Sequence, residues 1–206
     1  IVKAIEEGRK IYDNIKRFVK FQVSTNVGAI LTIIGTSILS LPLPFNPAQL
    51  LWINIVMDGP PAQTLGLEGA EKDIMERKPE NGDILNKNIL LNIFISGIVM
   101  AIGTIGVFIY ELNTTSSTKA MTIAFTLFVV YQLFNAYNCK ANSEKSSKFL
   151  YAGIILSLIL QILIIYIPQL QIIFKTTSIG LMDWIIIIAV AFTIIITEKI
   201  INKVIK

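Results

Sequence analysis

Apolar and polar residues are sorted along this chain in blocks, and the blocks are about as long as a bilayer is thick. Apolar runs fall at about 21 to 41, 48 to 67, 89 to 110, 120 to 138, 149 to 167 and 181 to 197. Each is near the roughly 20 residues that a helix needs to cross the hydrocarbon core. The pattern predicts an all-α fold, a polytopic membrane bundle of six transmembrane helices. Residues 1 to 20 are different in kind. Ile5, Ile11, Ile15 and Phe18 recur among basic residues, as on an amphipathic helix. No proline interrupts it, and after Gly8 no glycine comes before Gly28, so it should run without a break into the first span. The connections read as LPLPFNP at 41 to 47, a charged loop at 66 to 88, a Thr/Ser loop at 113 to 118, the basic CKANSEKSSK at 139 to 148, and a long surface segment at 168 to 180.

Charge gives the orientation. Six spans put both ends on one side, and of the 18 Lys and Arg only Lys119 and Lys175 fall on the other. By the positive-inside rule both termini are cytoplasmic. With 53% hydrophobic residues and a mean hydropathy of +0.67, the chain reads as an integral membrane protein whose partner is the lipid bilayer. The net charge of +4 sits beside the spans, so it reports topology and not nucleic acid. The charged opening IVKAIEEGRKIYDNIKR has no cleavage site after it and does not read as a signal peptide. The single Cys139 excludes an internal disulfide and fits a reducing face. With no histidine, a soft-metal site lacks ligands, and any bound cation should be a hard one held by oxygens.

The second run is not a plain span. LLWINIVMDGPPAQTLGLE (50 to 68) carries Asn54, Asp58 and Gln63, and Gly59-Pro60-Pro61 breaks it. A carboxylate at bilayer depth costs at least about 2.5–3.5 kcal/mol, and no Lys or Arg lies inside any span to offset it. Asn54 and Asp58 are four apart, one helical turn, on one face. Pro60 and Pro61 have no N–H for the carbonyls of Val56 and Met57, so the helix should unwind just past Asp58. Interrupted membrane helices of this sort build cation sites. Asn26 in the first span is either a further ligand or glue between helices. Gln63 reads as lining, Met57 as packing, and Gln132, Asn135 and Asn138 as a stripe for interhelical bonds. Glu111, Asp183 and Trp184 fall at span ends, where such residues anchor. Gly97, Gly103 and Gly106 are available for close helix packing.

The oxygen count falls short. Calcium takes about 6–8 oxygens, whereas Asn54 offers about one and Asp58 at most about two. None of the other spans has a central acid, so the missing ligands are expected upstream of Ile1 and the chain is expected to be incomplete.

Three motifs carry a family resemblance: EEGRKIYDNIKRFVKFQVSTNVG (6 to 28), LLWINIVMDGPPAQTLGLE (50 to 68) and KDIMERKP (72 to 79), with FNAYN in the fourth span. The sequence resembles the C-terminal membrane region, fifth to tenth helices, of P-type calcium-transporting ATPases, above all the secretory-pathway calcium and manganese pumps. The resemblance implies a cytoplasmic stalk helix at 1 to 20, leaving a phosphorylation domain. It implies a six-helix transmembrane domain at 21 to 206, and a cytoplasmic loop at 66 to 88 that touches the phosphorylation domain. It also implies metal ligands at Asn54 and Asp58, and at Asn26, which matches an amide of the second site in two-site pumps. Where those pumps carry a glutamate, a threonine and a glutamate, this chain has Ala29, Met57 and Gln132, which implies one ion per cycle. The cargo would be Ca²⁺ or Mn²⁺. Mg²⁺-ATP would be used by upstream phosphorylation, nucleotide-binding and actuator domains of the same polypeptide, since no Asp-Lys-Thr-Gly motif is present. The competing readings are a free-standing secondary cation transporter and a non-transporting membrane scaffold. Against the first, no internal repeat relates spans one to three with four to six.

Overall fold

The computed structural model describes residues 1–77, 84–141 and 148–204, the side chains of Met57, Asp58 and Val204 excepted. Residues 78–83 and 142–147 of the two polar loops, and the side chain of the predicted ligand Asp58, lie outside the described residues. Within them every regular element is helical: α1 (Val2–Ile38), α2 (Pro47–Asp58), α3 (Pro60–Leu65), α4 (Lys87–Thr114), α5 (Ser117–Asn138), α6 (Lys148–Tyr166), α7 (Pro168–Phe174), α8 (Leu181–Ala191) and α9 (Thr193–Val204). Five stretches are long and apolar enough to cross a membrane: α1, α4, α5, α6 and the combined Leu181–Lys203. The second predicted run is not among them, because it is divided into pieces of 12 and 6 residues.

The first helix is unbroken over 37 residues, about 55 Å at 1.5 Å per residue, as its lack of proline predicts. It stops at a Schellman turn. Ser40 takes a left-handed φ of 55°, and the amides of Ser40 and Leu41 reach back to the carbonyls of Ser37 and Thr36 at 3.1 and 2.9 Å. Pro47 then starts α2, and a reciprocal cap between Asn46 and Gln49 satisfies its first amides. Both side-chain amides also donate to the carbonyl of Phe174, at 2.8 and 3.1 Å, which pins α2 to the end of α7. The last span bends at Phe192, where the Thr193 hydroxyl donates to the carbonyl of Val190 at 2.7 Å.

The core lies around α5. Every residue from Thr122 to Val129 is wholly buried, two full turns enclosed on all sides, with Phe125 and Phe128 among the largest. Phe45 packs edge-on against Phe128 at 5.5 Å. The polar stripe on α5 makes interhelical bonds, as its spacing suggests. Gln132 donates to the Ile53 carbonyl on α2 (3.3 Å), Asn135 to the Ser24 hydroxyl on α1 (2.7 Å), and Asn138 to the Ile194 carbonyl on α9 (3.1 Å).

Small residues set the spacing of α1 and α4. A methyl group added at Gly97 would sit 2.6 Å from Val27, and one at Gly28 would sit 3.1 Å from Met100. Gly103 lies under the Tyr131 hydroxyl. Gly106 corrects the sequence expectation: nothing lies within 4 Å of its would-be side chain, so it faces open space and joins no contact. Glycine count along a span does not say which face is packed.

Cys139, just past α5, is buried among Phe21, Ala62, Leu65 and Leu150. Burial pushes its thiol up to about 11, against the opposing pull of Lys20. At pH 7.5 the thiolate is about 100-fold scarcer than at an unshifted cysteine. Iodoacetamide should therefore label Cys139 at least that much more slowly in the folded chain than after denaturation, and mass spectrometry of timed aliquots checks it.

Candidate cation site

The site begins where α2 ends. Asn54 lies mid-helix and half-buried, and Asp58 is the last residue of α2, one turn further on. Gly59 then turns the chain (φ −86°, ψ −138°), and Pro60 and Pro61 open α3. The break falls where the prolines predict it. It also depends on Gly59 having no side chain, because a Cβ there would lie 2.5 Å from the carbonyl oxygen of Ile55. Past the break the backbone N–H of Gln63 donates to the carbonyl of Gly59 at 3.1 Å, and the Thr64 hydroxyl lies 2.8 and 2.9 Å from the carbonyls of Pro60 and Pro61.

Two neighbours hold the broken segment. The Trp52 indole donates to Gln161 on α6 at 3.0 Å, and Gln161 donates in turn to the Thr126 hydroxyl on α5 at 3.3 Å. Gly153 on α6 faces the break, where a Cβ would meet the Pro60 carbonyl oxygen at 2.9 Å. Neither Gly153 nor Gln161 stands out in the sequence. Their only signals are a small residue and a lone amide in an otherwise apolar run.

The predicted ligands are placed as follows. Asn26 is half-buried on α1, which packs against α3 and touches α2. Among the described residues, neither the Asn26 nor the Asn54 side chain takes part in a hydrogen bond, and no group of three or more His, Cys, Asp or Glu converges to hold a metal. Gln63 is exposed. The neighbouring Gln132 and Asn135 use their amide nitrogens on Ile53 and Ser24, which leaves Gln132 Oε1 and Asn135 Oδ1 buried without partners. Glu111 is 3% exposed, and Asp183 pairs with Lys119 at 3.0 Å, so both span-end acids are buried in protein contacts.

Along the N-terminal half of α1, the segment that follows α3 folds back on the helix. Asn14, 2% exposed, donates to the carbonyls of Gly66 and Glu68 at 3.0 Å each. Arg9 donates to the carbonyls of Ile74 and Arg77, both at 2.7 Å. Arg17 pairs with Glu71 at 2.6 Å, and Arg77 with Asp13 at 2.9 Å. The conspicuous polar residues of the first and third motifs are thus partners of one another. Their alternation of charge gives no hint of it, since an exposed face would look the same.

The model of the family described as Cation transporting ATPase, C-terminus, matches residues 42–204. The calcium-transporting ATPase type 2C member 1 of Mus musculus is 39% identical over 214 residues, covering 99% of this chain and 23% of the relative. Type 2C member 2 of Mus musculus is 38% identical, covering 98% and 23%. A calcium-transporting ATPase of Bacillus subtilis (strain 168) is 35% identical, covering 93% and 23%. The chain therefore spans less than a quarter of the length of these relatives.

Proposed function

The chain belongs to the cation-transporting ATPase C-terminus family, and from that premise we propose that it is the ion-carrying membrane part of an ATP-driven calcium pump. A free-standing secondary transporter is set aside by the same membership. The observation that supports the reading is the helix break at Gly59, directly after a turn that carries Asn54 and Asp58. In this reading α2 and α3 together form one interrupted span. With the five stretches long enough to cross it makes six, and the basic residues put both termini in the cytoplasm. The cargo is Ca²⁺ or Mn²⁺, held by the oxygens of Asn54 and Asp58 with Asn26 beside them, and completed from outside this chain. Upstream phosphorylation, nucleotide-binding and actuator domains use Mg²⁺-ATP. They act on residues 1–20, the cytoplasmic stalk portion of α1, and on the loop at 66–88, while 21–206 forms the transmembrane domain. Because α1 is continuous from stalk to span, a push on one end reaches Asn26 without a joint between them.

One ion moves per cycle, because Ala29, Met57 and Gln132 leave a second site short of charged oxygens. The test is calcium bound per phosphoenzyme in the full-length protein. A ratio near one is expected, a ratio of two removes the single-site claim, and phosphorylation indifferent to calcium removes the pump.

A further inference from the structure

We propose that Lys20 and Glu198 form a releasable clasp between α1 and α9, and that the clasp positions the stalk and so tunes how tightly the cation site binds. This rests on the pump reading above, in which α1 moves.

Glu198 is 6% exposed, yet three helices supply donors to its carboxylate. The Lys20 ammonium donates to Oε1 at 2.7 Å from α1, Asn92 to Oε2 at 2.9 Å from α4, and Asn202 to Oε1 at 3.2 Å from α9 itself. Asn92 is braced by the Ser96 hydroxyl at 3.3 Å. Charge-assisted bonds of this length are the strong ones, so the closed clasp is well defined. It is not sealed. A cavity of about 180 Å³ borders its Lys20 side, lined by Lys20, Ile89, Ile201 and four asparagines that include Asn92 and Asn202. A pair closed off from water can part only by leaving two dry charges, whereas here the Lys20 ammonium can part into a cavity edged by asparagines, with Asn92 and Asn202 still bonded to the carboxylate. The geometry gives a contact that is firm when made and separable.

Its place on α1 gives it leverage on the site. The ties to the segment after α3 lie at Arg9, Asp13, Asn14 and Arg17. Lys20 is the next polar tie along the helix, and Asn26 follows about 9 Å further on. A shift of α1 must either open the clasp or carry α9 with it. A contact made in one position of α1 and lost in another adds its free energy to the first, which is how a remote pair changes affinity. Lys20 and Glu198 are positioning residues, Lys20 lying about 9 Å along α1 from the proposed ligand Asn26.

The test uses full-length protein in vesicles, with Lys20→Met, Glu198→Gln, the double variant, and the swap Lys20→Glu with Glu198→Lys. Half-saturating calcium for ATP hydrolysis should shift about fivefold or more in each single variant, with the maximal rate within about twofold. The double variant should match the singles, since one contact is removed once. The swap should move back toward wild type. Glu198→Gln keeps shape and bonding capacity, so it remains informative if Lys20→Met does not fold. Stable variants with unchanged half-saturation, or single effects that add in the double, overturn the clasp alone. Wild-type hydrolysis indifferent to calcium overturns the pump reading, and the clasp's role with it.

Discussion

Full-length pump carrying Asp58→Ala should show no ATP-driven calcium uptake above background, while its thermal midpoint holds or rises. The two halves of this expectation have the same cause. An acid at bilayer depth, with no Lys or Arg in any span, costs at least about 2.5–3.5 kcal/mol to place there. Its removal should relieve that cost, and a structural residue would behave in the opposite way. Uptake should vanish because Asp58 is the one acid in the broken run before the break, and a hard divalent cation is held by charge as well as by oxygen number. Asp58→Asn should be equally inactive, since it keeps the shape and loses the charge. Radiolabelled calcium uptake into sealed vesicles, paired with a thermal unfolding scan, reads both. Undiminished uptake by the alanine variant would remove Asp58 from the site.

Gly59→Ala should be nearly as damaging by a separate route. The added Cβ would lie 2.5 Å from the Ile55 carbonyl, and the obstacle is backbone, which cannot swing aside. Relief requires Asp58, Asn54 or the start of α3 to shift by several tenths of an ångström. Misplacing reacting or binding groups by about 1 Å costs about 100-fold, so apparent calcium affinity should fall by at least tenfold. Titrating calcium-dependent phosphorylation measures it. An alanine variant with wild-type affinity would show that the turn at residue 59 is incidental to binding.

The break itself could be read from the sequence, because proline acts on the backbone locally: it removes a donor wherever it stands, whatever surrounds it. The same holds for the uninterrupted α1 and the apolar length of the spans. What could not be read depends on which face meets which. Gly97 and Gly106 look alike in the chain, yet one is pressed against Val27 and the other faces nothing. Glu198 reads as part of a charged tail, and only the fold brings it to Lys20, 178 residues away. Gly153 looks like one small residue in an apolar helix, and its role exists only because Pro60 lies opposite. At the candidate site the type of residue was legible at Asn54 and Asn26. Their half-burial, and the partnerless oxygens of Gln132 and Asn135 nearby, come from packing among α1, α2 and α5.

The close contact of Gly28 with Gly97 makes α1 a seesaw with unequal arms. From that fulcrum the N-terminal arm to Val2 is about 39 Å and the arm to Ile38 about 15 Å, at 1.5 Å per residue. A tilt of about 10° would sweep the far N-terminal end through about 7 Å and displace Lys20 by about 2 Å, enough to part an ion pair. Asn26, about 3 Å from the pivot, would move by about half an ångström. Large strokes delivered at the outer end would thus arrive at this amide as fine adjustment.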